Sequence, residues 1–316
     1  MTQSFEPPKS ATVLITTKDR KECLPRAIDS VLGQTYPVEL LVVDDGSTDG
    51  TYEFITSKYP NVSVIRNDVP KGIIAARNDA AKVAMGEVLF TLDDDAEFRT
   101  TDVVVSVMED FCHPRVAVVG IPFDNHLSDG KVERCAVPGD RNSDNFVCSF
   151  QYGGGANAMR RKLFLSLGGY RGTGRQAEES TLSVQLLSHG YVVRIASKAM
   201  IDHYPLRGPN QMKVVVFSTA RNSLKFAFDW VPLVYVVPHL LVGIVNIIRL
   251  GVKQKQLSAA MSGIGYGVTD MIGNWSDRQP ISLGIYRAMR YLIRKPCRFS
   301  ELEPMLGPQL PLSLCT

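Results

Sequence analysis

Three consecutive carboxylates, Asp93, Asp94 and Asp95, close an apolar, β-prone run at 88–92 within the segment EVLFTLDDDAE. A buried strand that ends in acids delivers them to the rim of a sheet, where open α/β folds bind ligands. Side chains alternate along an extended strand, so Asp93 and Asp95 are expected on one side and Asp94 on the other. Two hard oxygen donors facing one way suit Mg²⁺ or Mn²⁺, which takes one or two carboxylates and completes its shell with phosphate and water. A divalent cation so held stabilises negative charge on a bound oxyanion without any proton transfer. The competing structural reading is an acidic turn that caps the next element.

The elements that must position these acids follow from the periodicity of the chain. Residues 11–17 (ATVLITT) read as a first buried strand, then a polar turn at Lys18 and Asp19, then a helix to about 34. Pro25 falls near that helix's start, where a missing N–H is tolerated. Residues 38–45 (VELLVVDD) form a second strand that also stops at acids, and Gly46, Ser47, Thr48 and Asp49 supply a turn and a helix cap. A third strand covers 62–66, and Lys71 and Gly72 lead into a helix over 73–85 that carries Arg77 and Asn78. Strands and helices alternating at this spacing predict right-handed crossovers and an α/β fold, with a mostly parallel central sheet covered by helices on both faces.

The order TTKDR at 16–20, SVLGQTYP at 30–37, VDDGSTD at 43–49, ARN at 76–78 and LDDD at 92–95 resembles the family 2 inverting glycosyltransferases of the A-type fold. Five motifs in the same order over the first hundred residues are far more specific than any one of them. The resemblance implies a nucleotide-sugar donor and a glycan or lipid-linked acceptor. It makes Thr16, Asp44 and Asp45 nucleoside contacts, Arg77 a nucleotide or diphosphate contact, and Asp93 and Asp95 the metal-holding D-x-D pair. Thr17, Arg20, Lys71 and Asp94 fall on the same donor side. A capped β-turn is the structural alternative for Asp44 and Asp45, and a solvated helix face for Arg77.

Beyond the acids, residues 116–123 read as a further strand, followed by a polar, irregular segment to about 145 that is expected to close over the acceptor side. Gly153, Gly154, Gly155, Ala156, Asn157 and Ala158 precede a helical MRRKLFLSL at 159–167. Gly153, Gly155 and Ala158 match a dinucleotide-binding G-x-G-x-x-A, but the helix is short, is broken at Gly168 and Gly169, and stands far from the domain's start. The resemblance instead makes Gly154, Gly155 and Asn157 part of an acceptor pocket that small residues leave open. Residues 176–190 read as a helix with acids at its front and Leu182, Leu186 and Leu187 facing inward. Two acids in a first turn complement the helix dipole. The resemblance makes one of them the base that deprotonates the acceptor, with Glu179, where the family has Asp, the first choice and Glu178 the second. A strand at 191–196 leads to His203, which the resemblance makes a third metal ligand and which is otherwise a hydrogen-bonded histidine.

The net charge of +3 hides an asymmetry: nine Lys and Arg face two acids between Arg249 and Arg298, leaving 26 basic and 30 acidic residues elsewhere. Residues 231–248 are the most apolar run, short for a bilayer span and interrupted by Pro238 and His239. Residues 281–295 sort Ile285, Ala288, Met289 and Leu292 from Arg287, Arg290 and Arg294, a basic amphipathic pattern suited to anionic headgroups. These features predict a catalytic domain over 1–225, with a nucleotide-binding half at 11–97 and an acceptor half at 98–225, and a helical tail over 226–316. The tail is expected to lie on a membrane surface; a span, or packing on itself or on a second copy in a homo-oligomer, are the other readings. Six cysteines without a C-x-x-C pair and a polar start with two prolines are expected of a cytoplasmic protein at the inner face of the membrane. No aromatic platform or nucleic-acid motif accompanies the basic excess, so nucleic acid is not an expected partner. A sugar-phosphate nucleotidyltransferase is the rival enzyme, and it wants a Gly-rich phosphate loop that 16–20 lacks. A non-catalytic sugar-nucleotide-binding protein is the other rival, and it has no need of carboxylates at every expected position.

Overall fold

The computed structural model describes residues 6–134, 139–171, 178–205, 209–273 and 275–308. The first half runs β1 (Ala11–Thr17), α1 (Leu24–Leu32), β2 (Glu39–Asp44), α2 (Thr51–Lys58), β3 (Ser63–Arg66), α3 (Ile73–Val83) and β4 (Val88–Asp93). It continues through β5 (Ala96–Phe98), α4 (Val103–Asp110), β6 (Val116–Gly120), β7 (Phe123–His126), β8 (Val132–Arg134), β9 (Val147–Ser149) and β10 (Ala156–Arg160). Then follow α5 (Arg161–Ser166), α6 (Glu178–Ser188), β11 (Val192–Ile195) and β12 (Ile201–His203). The chain closes with α7 (Pro209–Trp230), α8 (Leu233–Lys253), α9 (Leu257–Gly273), α10 (Leu283–Arg294), β13 (Cys297–Arg298) and α11 (Phe299–Leu302).

Nine strands form the main sheet in the order β13-β9-β11-β6-β10-β4-β1-β2-β3. Seven of them run one way, and only β9 and β10 oppose the rest. The expected mixed α/β architecture with a mainly parallel sheet is therefore present. Alternation along β1 sends Val13 and Ile15 into one apolar layer and Leu14 into the other, so both faces of the sheet are covered. After β3 the chain crosses to the far side of β1 to make β4, and that reversal opens a crevice at the strands' carboxyl ends. Register places Thr16 beside Asp93 and Thr17 beside Asp44 at that rim.

Two segments depart from the sequence reading, and part of a third lies outside the described residues. The strand expected over 116–123 ends at Gly120, and after Pro122, which has no N–H for a ladder, the chain enters a second sheet of order β5-β12-β7-β8. Met159 and Arg160, expected in a helix, belong to β10, which is inserted antiparallel between β4 and β6; the helix starts only at Arg161. Sheet pairing on both sides outweighs the local helical pattern there. Gln176 and Ala177, expected at the front of α6, lie outside the described residues, while Leu182, Leu186 and Leu187 are buried as anticipated.

The chain beyond 225 divides in two. Helices α7, α8 and α9 pack around a small core of Val216, Ala220, Leu224, Ile247, Ala259 and Ala260. Helix α10 behaves otherwise: Ile285, Ala288, Met289 and Leu292 are buried in the main core, so the apolar face read as lipid-binding is occupied by protein. Strand β13 then pairs with β9 at the edge of the main sheet, and Phe299 stacks on Phe146 with ring centroids 5.0 Å apart. The outward side of α8 stays exposed through Leu233, Val234, Val237, Leu241 and Val252. By length and composition α8 is apolar enough to cross a membrane.

Candidate active site

Strand β4 stops at Asp93 and the chain turns toward β5, so the alternation expected of the three acids ends with the strand. Asp94 does not face away from its neighbours. It accepts from Thr17 Oγ1 at 2.8 Å and shares Arg20 Nη1 with Asp95, at 3.0 and 2.5 Å respectively. Asp93 accepts from Arg77 Nη2 at 2.7 Å, and Asp95 Oδ1 lies 3.1 Å from His203 Nε2. Asp93, Asp95 and His203 each offer a ligand atom, and these atoms all lie within 4.8 Å of one another. Two carboxylates and an imidazole at that spacing fit Mg²⁺ or Mn²⁺, with room for phosphate oxygens or water in the shell. Burial pushes Asp94 up to about 6 against the pull of Arg20 and Thr17. Burial acts the same way on Asp95, but His203 and Arg20 outweigh it and hold that carboxyl below its usual range.

The two acids of the VDDGSTD turn differ. Asp45 is fully engaged: it accepts from Lys71 N, Asn67 Nδ2 and Gly72 N at 2.8 to 2.9 Å, and so fixes the approach to α3. Asp44 accepts from Ser47 N at 2.9 Å through Oδ1, while its Oδ2 and the Oγ1 of Thr16 are buried without a hydrogen-bond partner among the described residues. Unsatisfied buried oxygens at a sheet's carboxyl rim are costly and mark places where a ligand's donors fit. Lys71 brings only its backbone to this cluster, since its ammonium pairs with Asp79 at 2.9 Å.

Glu178 and Glu179 open α6, where carboxylates complement the positive end of the helix. Glu179 faces the glycine loop. A Cβ on Gly154 would overlap Glu179 Oε1 and press on Arg77 Nη1 at 3.2 Å, and one on Gly155 would overlap the Asp93 carboxylate. The glycines therefore set the separation between Glu179 and Asp93 rather than leaving an open floor. Asn157, read as an acceptor contact, is wholly buried, and its amide donates to the carbonyls of Gly153 and Gly154 at 2.7 and 3.0 Å. Thr91 Oγ1 adds a 2.7 Å bond to the Gly154 carbonyl. Burial and the like charge of Glu178 push Glu179 up to about 7, with Arg77 opposing more weakly.

Several contributors escape the sequence reading. The hydroxyls of Tyr152 and Tyr170 are buried beside the Glu pair, and burial pushes both phenols up, with Tyr170 and Glu179 adding to it at Tyr152 and Arg77 opposing it at Tyr170. Asn78 holds the Tyr170 backbone from both sides at 2.9 Å. Asn125, inside the segment read as irregular, meets His203 Nδ1 at 2.7 Å. Only Asn78 had a signal, its place in the ARN motif.

The family model described as Glycosyl transferase family 2 matches residues 12–167. The β-1,3-glucosyltransferase WfaP of Escherichia coli, named for UDP-Glc and α-D-GlcNAc-diphosphoundecaprenol, is 34% identical over 29% of this chain and 38% of its own length. An uncharacterized glycosyltransferase of Haemophilus influenzae is 26% identical over 67% of this chain and 70% of its own. The mannosyltransferase PcManGT of Pyrobaculum calidifontis, solved with GDP-Man and Mn²⁺, superposes with a TM-score of 0.53 at 18% identity, covering 95% of this chain and 82% of that one. That is a likeness of fold. The match spans about a third of the length of the first curated relatives (38%, 30% and 33%).

Proposed function

Starting from a chain that is a glycosyltransferase, with residues 12–167 belonging to family 2 and a GT-A fold around them, we propose a metal-dependent, inverting enzyme that moves a sugar from a nucleoside-diphosphate sugar to a hydroxyl of a lipid-linked or polysaccharide acceptor. The observation that carries this reading is the gathering of Asp93, Asp95 and His203 donor atoms within 4.8 Å, with Glu179 across the glycine loop from Asp93.

Asp93, Asp95 and His203 would hold Mg²⁺ or Mn²⁺. The ion, when bound, stabilises the charge that develops on the departing diphosphate. Thr16 and Asp44 offer their unsatisfied oxygens to the base and ribose. Arg77, only 4% exposed, keeps a fixed positive charge between Asp93 and the Glu pair, and Arg20 does the same beneath Asp94 and Asp95. Glu179 takes the proton of the acceptor hydroxyl; a carboxyl that titrates near 7 accepts a proton readily while being half ionised at neutral pH. The acceptor oxygen bonds to the anomeric carbon as the bond to the diphosphate oxygen breaks, and its electron pair leaves with the nucleotide. A single displacement of this kind inverts the anomeric configuration.

The catalytic body extends through β12 and includes α10 and β13, while the exposed apolar side of α8 is the surface that meets the inner face of a membrane. The relatives' lipid-linked acceptors favour the same setting. A panel of nucleotide sugars, tested by thermal shift with and without Mn²⁺, identifies the donor: the right one raises the melting temperature by mass action only when the ion is present. Turnover of that donor by Asp95→Ala at the wild-type rate, or retention of anomeric configuration by NMR, would overturn the reading.

A further inference from the structure

We infer that Asn125 is a positioning residue which fixes the tautomer of His203, so that Nε2 presents its lone pair to the Asp93–Asp95 cluster; this rests on the metal-binding reading of His203. Strands β7 and β12 pair in parallel with Asn125 directly beside His203, which sets the two side chains next to each other. Asn125 is 6% exposed, and its Oδ1 lies 2.7 Å from His203 Nδ1. An amide oxygen has no proton to give, so the bond forms only when Nδ1 carries the hydrogen. A neutral ring protonated at Nδ1 has its lone pair on Nε2, and Nε2 is the nitrogen 3.1 Å from Asp95 Oδ1.

The opposite amide orientation would donate Nδ2–H to Nδ1, place the ring proton on Nε2 and aim it at the carboxylates, where the ring could not ligate. The acceptor at position 125 therefore decides whether the cluster has three donors or two. Strand β7 also supplies Phe123, whose ring stands edge-on to His203 at 5.9 Å and 90° and limits rotation of the imidazole. The strand bearing the histidine is itself clamped: Arg99 pairs with Asp202 at 2.5 Å and Asp124 at 2.8 Å, and Tyr204 lies between Arg26 at 3.8 Å and the stacked ring of His126 at 4.9 Å. Backbone and ring are held from several sides, and Asn125 alone among these contacts addresses a ring nitrogen of His203 opposite the cluster.

Asn125→Leu keeps the size and removes the acceptor, while Asn125→Asp keeps an acceptor. Isothermal titration of Mn²⁺ into the full chain should show Asn125→Leu binding about 10–100-fold more weakly than wild type, with Asn125→Asp within a few fold of it. Long-range ¹H–¹⁵N spectra of the Mg²⁺-saturated wild type, with His203 assigned through His203→Ala, should show the proton on Nδ1. A proton on Nε2 in the wild type overturns the inference, and that measurement needs no variant at position 125 to fold. Wild-type Mn²⁺ affinity in Asn125→Leu, with His203→Ala weakened, overturns the inference alone. Wild-type affinity in His203→Ala as well overturns the metal reading of His203 with it.

Discussion

Replacing Gly155 by Ala isolates the spacing between the acid at the end of β4 and the loop opposite it. The added methyl would sit inside the Asp93 carboxylate, where ordinary contact begins near 3.4 Å. Either the loop or the carboxylate must therefore move by roughly 1 Å or more, a displacement large enough to cost about 100-fold in rate at a reacting centre. The loop is tied down by Asn157 and Thr91 through the carbonyls of Gly153 and Gly154, so the Asp93 side chain is the part that yields. Its movement breaks the 2.7 Å pair with Arg77 and pulls one donor out of the cluster. Gly155→Ala should then lose about 100-fold in kcat/KM and bind Mn²⁺ more weakly, with partial recovery at high Mn²⁺, and should lose on the order of 1–3 kcal/mol of stability from overpacking. Steady-state kinetics across a Mn²⁺ series, with urea denaturation alongside, measure both effects. Gly243→Ala is the control, because nothing lies within 4 Å of a methyl there. Full activity and unchanged Mn²⁺ dependence in Gly155→Ala would refute the argument.

On the proposed mechanism, in which Glu179 acts as the base when ionised, a carboxyl pushed up to about 7 should make kcat/KM rise with pH through a limb near 7. Removing the like charge in Glu178→Gln lets Glu179 ionise more easily, so the limb should move to lower pH; a limb that stays put or moves up would show that Glu178 does not act on the base. For α8, the pair Val237→Asp and Leu241→Asp removes two apolar side chains at about 1.5–3 kcal/mol each, so flotation with anionic phospholipid vesicles should show binding weakened roughly 100-fold or more. Unchanged flotation, or loss of a dimer by light scattering instead, would assign that face to something other than lipid. Deeper in the body, Asp110→Ala strips the carboxylate 2.8 Å from Arg194, whose side chain is 2% exposed, and should cost about 3–5 kcal/mol in urea denaturation; a loss under about 1 kcal/mol would mean that the guanidinium finds other compensation.

What the sequence made legible was the part of the molecule built from local signals. Strands β1 to β4 and the acids that end them are each a short apolar run followed by a turn, and the order of their motifs carried the fold and the acids gathered at the sheet's rim. Asp93, Asp95 and His203 come together although Asp94 does not obey the alternation that first selected its neighbours, because that rule applies only while the chain is extended. Strand β10 was hidden because Met159 and Arg160 continue a helical pattern, and only the gap between β4 and β6 turns them into a strand. Helix α10 shows the limit of amphipathicity: the pattern states that one face is covered, but whether lipid or protein covers it depends on where the chain returns. Asn125 carried no local mark at all, since its role exists only through the parallel register that sets it beside His203.

The pairing of β13 with β9 gives the three-helix unit two moorings, one leaving from β12 and one returning through α10. A shortened chain that ends after α9 would not shed an appendage. It would strip the rim from the sheet, bare the unpaired N–H and C=O groups of β9 and leave Phe146 without its aromatic cover from Phe299. Such an edge is a template for sticking to other chains, so deletion variants made to solubilise the protein should be cut between the moorings, with α10 and β13 rejoined to the body.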